Sequence, residues 1–175
     1  STICSAAASD AGLNADRLGA LVTVARQAAD AGGAELMRHY GRLSSIESKG
    51  RTGDLVTNAD VAAERVVLEV LGRETPDIAV LAEESGAAGE QDGLRWCVDP
   101  LDGTTNFTHG YPFFATSIGL TFRQRPILGA IAVPFLGETY WGAPGHGPHC
   151  NDSEIHVSRC ERLEDSLLVT GFAYD

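Results

Sequence analysis

The pattern of apolar and polar positions along the chain changes in character near Pro76. Over residues 14–40, apolar side chains recur at spacings of three and four, which is typical of an amphipathic helix, and Asn14 can cap its first turn. A second helix is predicted to begin at Thr57 or Asn58. It stops before Pro76, because proline disfavours helical backbone in the residue that precedes it. The first part of the chain is therefore predicted to contain two helices.

The part of the chain after Pro76 consists of short segments that are rich in β-branched and aromatic residues and are separated by turn-forming residues, which is typical of strands. The predicted strands lie in the segments DIAVLAEES, LRWCVDP, FFATSIGLTF, PILGAIAVPF, ETYWGAP and, up to the final residue, SLLVTGFAYD. Two helices followed by a sheet of about five or six strands predict an α+β layered fold. We see no repeat or linker, so residues 1–175 are expected to form one domain.

Composition and charge limit the classes of function. A chain of 175 residues that is 43% hydrophobic can bury one real core. Its net charge of −11 argues against nucleic acid or an anionic membrane as the main partner, because both require a basic surface. No apolar run approaches the ~20 residues of a membrane span, and the opening STICSAAASD lacks the regions of a signal peptide. These observations favour a soluble, intracellular protein.

Acidic residues occur where predicted strands end and where the second helix begins. Asp60 lies in the first turn of that helix, Glu83 follows IAVLA, and Asp99 and Asp102 follow LRWCV. Taken singly, each has an ordinary structural explanation. Asp60 would interact with the helix dipole, Glu83 would lie at a solvated strand end, and Asp99 and Asp102 would form the turn of DPLDG. Two buried carboxylates so close in sequence are costly, however, unless a positive group lies between them. The pair therefore favours a cation site.

The residues after Asp102 add a second signal. Gly103 precedes Thr104 and Thr105, two hydroxyls at a predicted helix start, and glycine followed by a helix N-terminus is a common anion cradle. Acidic side chains are compatible with an anion cradle when metal ions mediate. The sequence therefore predicts a metal and anion site around Asp102.

These motifs resemble the inositol monophosphatase family of magnesium-dependent, lithium-sensitive sugar-phosphate phosphatases. The match rests on DPLDGTTNF (residues 99–107), LVTNAD (55–60) and AEES (82–85), and it extends to Lys49 and to the stretch GPHCND…IHVS. The order, spacing and identity of three separate motifs agree, which is far more specific than one short pattern. The resemblance implies a layered αβαβα sugar-phosphatase fold, of which this chain has the N-terminal helix pair and the mostly antiparallel sheet.

The resemblance also implies a metal site. Two or three Mg²⁺ ions would be held through oxygen, as small hard cations require, and Li⁺ would inhibit. Asp102 would bridge two of the metals, which would explain why paired carboxylates are tolerated. The implied metal ligands are Glu83, Asp99, the carbonyl of Leu101 and Asp102.

The catalytic and substrate-binding roles follow from the same resemblance. Thr104, hydrogen-bonded toward Asp60 and assisted by Glu83, would position and deprotonate a metal-activated water that attacks phosphorus directly. The implied substrate contacts are Gly103, Thr104, Thr105 and Asp102. The implied supporting residues are Glu84, in an outer position or at a weak third metal, and Lys49, a nearby cation.

The implied function is hydrolysis of a phosphate monoester on a small polyol or sugar, with inositol monophosphate as the first candidate. Histidinol phosphate, fructose 1,6-bisphosphate and adenosine bisphosphate are alternative substrates within the same superfamily, and a truncated, non-catalytic metal-binding module is the alternative class. The family also suggests a homodimer. A cytoplasmic location is expected, with organelle import left open.

One family motif is not found. Members carry a W-D-x-A-A-G segment, beyond the point corresponding to Asp175, whose aspartate completes the second metal site. The resemblance therefore covers nearly all of this sequence but about the first two-thirds of the family's length. We expect a fragment of a longer enzyme; a partner that supplies the rest and a shortened, inactive relative are the alternatives.

A different hypothesis, a zinc site, concerns the stretch HGPHCNDSEIHVSRC. Its His and Cys residues have spacings found among zinc ligands, although the glycines, proline and Asn-Asp pair also predict a tight hairpin, which is the favoured interpretation. The candidate zinc ligands are His146, His149, Cys150, His156 and Cys160.

Overall fold

The computed structural model of the chain describes residues 2–43, 46–48, 55–88 and 92–170. Its helices are α1 (Thr2–Asp10), α2 (Ala15–His39), α3 (Asn58–Glu74) and α4 (Thr104–Thr108), with a 3₁₀ turn at Leu163–Asp165. Its strands are β1 (Ile46–Ser48), β2 (Leu55–Thr57), β3 (Ala79–Ala82), β4 (Gly86–Ala88), β5 (Leu94–Asp102), β6 (Ala115–Phe122), β7 (Arg125–Val133), β8 (Glu138–Ala143), β9 (Gly147–Cys150) and β10 (Ser153–Glu154).

Both predicted helices are confirmed, and their caps explain where they begin. The Asn14 side chain accepts a hydrogen bond from the backbone N–H of Arg17 at 2.8 Å, which caps α2. Thr57 and Asp60 form a reciprocal capping box at the start of α3. The first helix, α1, was not predicted, since Ala and Ser give it little amphipathic contrast.

A mixed sheet forms the centre of the fold. Its strand order is β10-β9-β8-β7-β6-β5-β3-β4, and every neighbouring pair is antiparallel except β3 and β5. A separate antiparallel pair, β1 and β2, lies between α2 and α3 in the chain. The α+β, mostly antiparallel prediction is confirmed, but the sheet has more strands than expected because the short β4, β9 and β10 add to its edges.

Helices α1, α2 and α3 pack on one face of the sheet. Alternate residues of its central strands, such as Trp96, Ile118 and Leu120, are buried there against apolar residues of α2 and α3. A second apolar cluster packs beneath the loop that follows β5. It consists of Leu36, Ala59, Ala63, Leu101, Phe107 and Phe114.

Close approach of α2 to the sheet requires glycine at position 32. A Cβ on Gly32 would lie 2.7 Å from Cγ2 of Thr116 and 2.9 Å from Cγ2 of Val67, closer than such atoms can pack. The absence of a side chain therefore lets α2 contact both β6 and α3.

The predicted C-terminal strand, residues 166–175, is wrong for the residues that the structure describes. Residues 166–170, predicted as strand, are not part of a strand in the structure, and residues 171–175 lie outside the described part of the chain. The side chains of Leu167 and Val169 are 94% and 89% exposed, so these apolar residues are not packed into the core of this structure. None of the described helices is long and apolar enough to cross a membrane.

Candidate active site

A break in the β5–β6 register separates the two aspartates of DPLDG. Residues between Asp99 and Asp102 leave the ladder, as expected where proline lacks a backbone N–H. The Asp99 carboxyl accepts the backbone N–H of Leu101 at 3.2 Å, and the buried hydroxyl of Thr116 donates to the carbonyl of Pro100 at 2.9 Å. These bonds hold the bulge in one conformation.

Gly103 turns the chain from β5 into α4. Its φ of +88° is left-handed, and a Cβ there would lie 3.1 Å from the carbonyl oxygen of Phe113. Glycine is therefore required at this point, and it places Thr104 as the first residue of the short helix.

The carboxyl of Asp60 is 2% exposed and uses both oxygens. Its Oδ2 accepts the backbone N–H of Thr57 at 2.8 Å and the Thr57 hydroxyl at 2.6 Å. Its Oδ1 lies 3.2 Å from the Thr104 hydroxyl, which also lies 3.0 Å from the carbonyl of Leu101. Burial raises the pKa of Asp60, while the hydrogen bonds from Thr57 and Thr104 oppose that rise. The structure thus joins Asp60 and Thr104, as the resemblance implies.

Glu83 and Asp99 meet where β3 ends and its parallel pairing with β5 stops. Ala82 pairs with Val98, and the backbone N–H of Glu83 donates to the Val98 carbonyl at 3.1 Å. Burial, the charge and hydrogen bond of Glu83, and the charge of Asp102 together raise the pKa of Asp99 to about 7. A cavity of about 600 Å³ opens beside Glu83 and Asp99.

Other predicted site residues lie further out. Asp102 is exposed and lines a second cavity of about 210 Å³ together with Gly103. Thr105 follows Thr104 in α4, and Glu84 occupies the turn after Glu83. Lys49 lies outside the described residues.

The donor set beside the cavity fits a hard divalent cation. Within the described ranges, no three His, Cys, Asp or Glu side chains come together closely enough to enclose an ion by themselves. Mg²⁺, however, is usually held by one or two carboxylates and keeps several waters. Burial and, after it, the charge of Glu83 raise the pKa of Asp99, and a cation beside the two carboxyls would offset both effects.

The hypothesis of a zinc site is not supported. A structural zinc site takes four protein ligands, and none of the five candidate His and Cys residues belongs to a group of three in this structure. The ring of His149 instead stacks on Trp141, with centroids 4.2 Å apart and planes 8° from parallel. The hairpin interpretation accounts for β8, β9 and β10.

Sequence reasoning missed three buried polar residues near the site. Thr57 was recognised as a cap but not as a partner of Asp60, and Thr116 lies at an inward position of an apolar strand. Glu64 lies one helical turn after Asp60, and its carboxylate accepts the backbone N–H of Glu84 at 2.9 Å. Thr116 could have been found from the sequence, because it is a polar residue at a position of the strand that is otherwise apolar and buried.

Comparison with known proteins defines the class of this chain. The inositol monophosphatase family profile matches residues 18–175, so the chain belongs to the inositol monophosphatase family. Members of this family are generally metal-dependent.

Individual relatives agree with that class. The chain is 48% identical to the inositol-1-monophosphatase of Synechocystis sp. over 87% of its own length and 53% of that protein's. It is 41% identical to the fructose-1,6-bisphosphatase/inositol-1-monophosphatase of Aquifex aeolicus over 85% of its length and 57% of the relative's. The solved inositol monophosphatase of Anabaena (Nostoc) superposes with a TM-score of 0.77 at 44% identity, covering 90% of this chain and 57% of the other. The chain thus spans little more than half the length of these relatives.

Proposed function

We propose that this chain carries the metal- and phosphate-binding part of a Mg²⁺-dependent phosphatase that hydrolyses a phosphate monoester of a small polyol or sugar. The observation that carries the proposal is the contact of the Thr104 hydroxyl with the buried Asp60 carboxyl, close to the Glu83–Asp99 pair. A hydroxyl backed by a carboxyl beside a carboxylate pair is suited to moving a proton from water next to a bound cation.

The proposed metal ligands are Glu83, Asp99, Asp102 and the Leu101 carbonyl. Their oxygens match the preference of Mg²⁺, and the mutual repulsion of the carboxyls favours a cation. When bound, the metal lowers the pKa of water and offsets the charge that develops on the phosphate. The number of ions, two or three, is carried over from the family resemblance, as is inhibition by Li⁺.

Thr104 and Asp60 would move the proton of the attacking water. The Thr104 hydroxyl accepts that proton while it passes its own hydrogen toward Oδ1 of Asp60. Burial supports this role because it raises the pKa of Asp60 and so increases its affinity for a proton. Thr57 holds the other oxygen and keeps Oδ1 directed at Thr104.

The proposed phosphate contacts are on the loop after β5. The family resemblance implies phosphate contacts at Gly103, Thr104 and Thr105, and backbone N–H groups at a helix start commonly bind phosphate oxygens. The left-handed backbone of Gly103 turns the chain from β5 into α4 at this loop. Glu84 and Lys49 are proposed as supporting residues on the resemblance alone.

Inositol monophosphate is the first candidate substrate, because relatives that carry that name include one at 48% identity. Fructose 1,6-bisphosphate is the second, because the Aquifex relative bears both names. Histidinol phosphate and adenosine bisphosphate serve as comparison substrates in the test below.

The test is phosphate release from inositol 1-phosphate and the other three substrates by the 175-residue chain, with and without Mg²⁺ and Li⁺. Mg²⁺-dependent, Li⁺-inhibited release that is lost in Asp99→Asn would support the proposal. No release from any substrate, with Mg²⁺ binding that Asp99→Asn abolishes, would favour a metal-binding module. Release that does not depend on Mg²⁺ would contradict the mechanism.

The homodimer and the cytoplasmic location stay predictions. Sedimentation velocity across a concentration series tests the first, since a monomer at all concentrations would contradict it. Cell fractionation with antibodies to the native protein tests the second.

A further inference from the structure

Glu64 is a buried carboxylate in α3 that the proposed mechanism does not use. It is 6% exposed, and it lies four residues after Asp60, so the two side chains share one face of the helix. A buried carboxylate is costly unless it is hydrogen-bonded, so its partner indicates what it does.

The partner of Glu64 is a turn 20 residues later in the chain. Its Oε2 accepts the backbone N–H of Glu84 at 2.9 Å, in the turn between β3 and β4. The preceding backbone N–H, that of Glu83, donates to the Val98 carbonyl at 3.1 Å. Residue 83 is therefore tied on one side to β5 and on the other to α3.

These two bonds restrain the backbone on both sides of residue 83. Val98 directly precedes Asp99, and the Glu83 carboxyl is hydrogen-bonded to that of Asp99. A turn without the Glu64 contact would keep the bond to β5 but lose this hydrogen bond to α3. Because hydrogen bonds to charged groups are the stronger class, the Glu64 contact restrains the turn more than a neutral bond would.

We propose that Glu64 is a positioning residue that holds the turn bearing Glu83, so that the Glu83 carboxyl stays beside Asp99 for metal binding. The inference rests on the proposed function of that carboxyl pair. It assigns α3 two tasks: Asp60 contacts the loop after β5 through Thr104, and Glu64 contacts the turn after β3. One helix thereby sets the distance between the two halves of the site.

The test uses Mn²⁺, which shares the oxygen preference of Mg²⁺, and follows the electron paramagnetic resonance signal of the free ion as the 175-residue chain is added. Glu64→Ala should weaken Mn²⁺ binding about 10- to 100-fold, the usual effect of removing a group that orients a metal ligand. Glu64→Gln keeps an oxygen that accepts the same N–H and should stay within about threefold of the unchanged chain. Glu69→Ala, which removes an exposed glutamate of the same helix, is the matched control and should have no effect.

A double-mutant cycle separates positioning from general loosening of the fold. If Glu64 acts through Glu83, then Glu64→Ala should weaken Mn²⁺ binding in the unchanged chain but have little further effect in Glu83→Gln. Equal effects in both backgrounds, or Mn²⁺ binding by Glu64→Ala that matches the unchanged chain, would overturn the positioning role while leaving the metal site intact. If the unchanged chain itself fails to bind Mn²⁺, the proposed function and this inference both fall. Far-UV circular dichroism of each variant reports whether it is folded.

Discussion

The Thr104 hydroxyl lies 3.2 Å from the Asp60 carboxyl, although 44 residues separate them in the chain. The capping box at the start of α3 holds that carboxyl in place, since Thr57 donates two hydrogen bonds to its other oxygen. A motif that would serve only to begin a helix in another protein therefore also orients a group of the site.

Thr104→Ala tests whether the hydroxyl acts in the reaction. Under the proposed function, turnover should fall about 10²-fold or more, the usual contribution of a positioned proton-transfer group. Mg²⁺ half-saturation should change less than about threefold, because the hydroxyl is not a proposed metal ligand. Steady-state rates at several Mg²⁺ concentrations measure both quantities. Thr104→Ser, which keeps the hydroxyl, should retain most of the activity; equal losses in both variants would contradict the role.

Asp102→Asn tests the proposed metal-bridging carboxylate. The side chain is exposed, so the melting temperature should stay close to that of the unchanged chain, whereas Mg²⁺-dependent hydrolysis should disappear. Asp92→Asn removes another exposed carboxylate and is the control. Retained turnover in Asp102→Asn would remove this residue from the metal site.

Gly32→Ala and Gly72→Ala test the close approach of α2 to the sheet. The added Cβ at position 32 would meet Thr116 and Val67, and overpacking of this kind costs about 1–3 kcal/mol, more than alanine gains in helix propensity. Gly72 in α3 has open space around it, so its replacement should instead stabilise the fold by about 0.5–1 kcal/mol. Urea unfolding measures both changes. Equal effects at the two positions would mean that α2 can shift to admit the methyl group.

The raised pKa of Asp99 predicts a pH dependence of stability in the metal-free chain. Its folded pKa is about 7 against an ordinary value of 3.8, so between these values the folded chain holds a proton that the unfolded chain has lost. The contribution of Asp99 is fully present below about pH 4 and is lost as the pH rises through about 7. Urea unfolding in EDTA at pH 5 and pH 7.5 should show the free energy of unfolding falling more in the unchanged chain than in Asp99→Asn.

The comparison with Asp99→Asn is necessary because other groups also titrate. Asp60, whose pKa is raised by burial, contributes with the same sign. Glu35 contributes with the opposite sign, because hydrogen bonds and charges from Arg38 and His39 outweigh its burial and lower its pKa. Both contributions cancel in the difference between the two chains. Parallel pH curves would show that Asp99 does not carry the shifted proton.

Local patterns in the sequence determined the helices α2 and α3, the central strands and the identity of the proposed chemical groups. The periodicity of apolar residues indicates which face of a helix or strand is buried. Asn14 and Thr57 mark the starts of helices because their side chains hydrogen-bond to backbone groups only two or three residues away. The family motifs likewise lie in short continuous stretches. The prediction for residues 166–170 failed because apolar composition predicts a strand only when a neighbouring strand is there to pair with it.

Only the tertiary structure decided which of these groups meet. The parallel pairing of β3 with β5 brings Glu83 to Asp99, and the packing of α3 beneath the loop after β5 brings Asp60 to Thr104. Glu64 illustrates the difference, since its sequence position is that of an ordinary helical glutamate and its hydrogen-bond partner lies in a turn 20 residues away. Contacts between distant segments depend on how whole elements pack, and no local pattern encodes that packing.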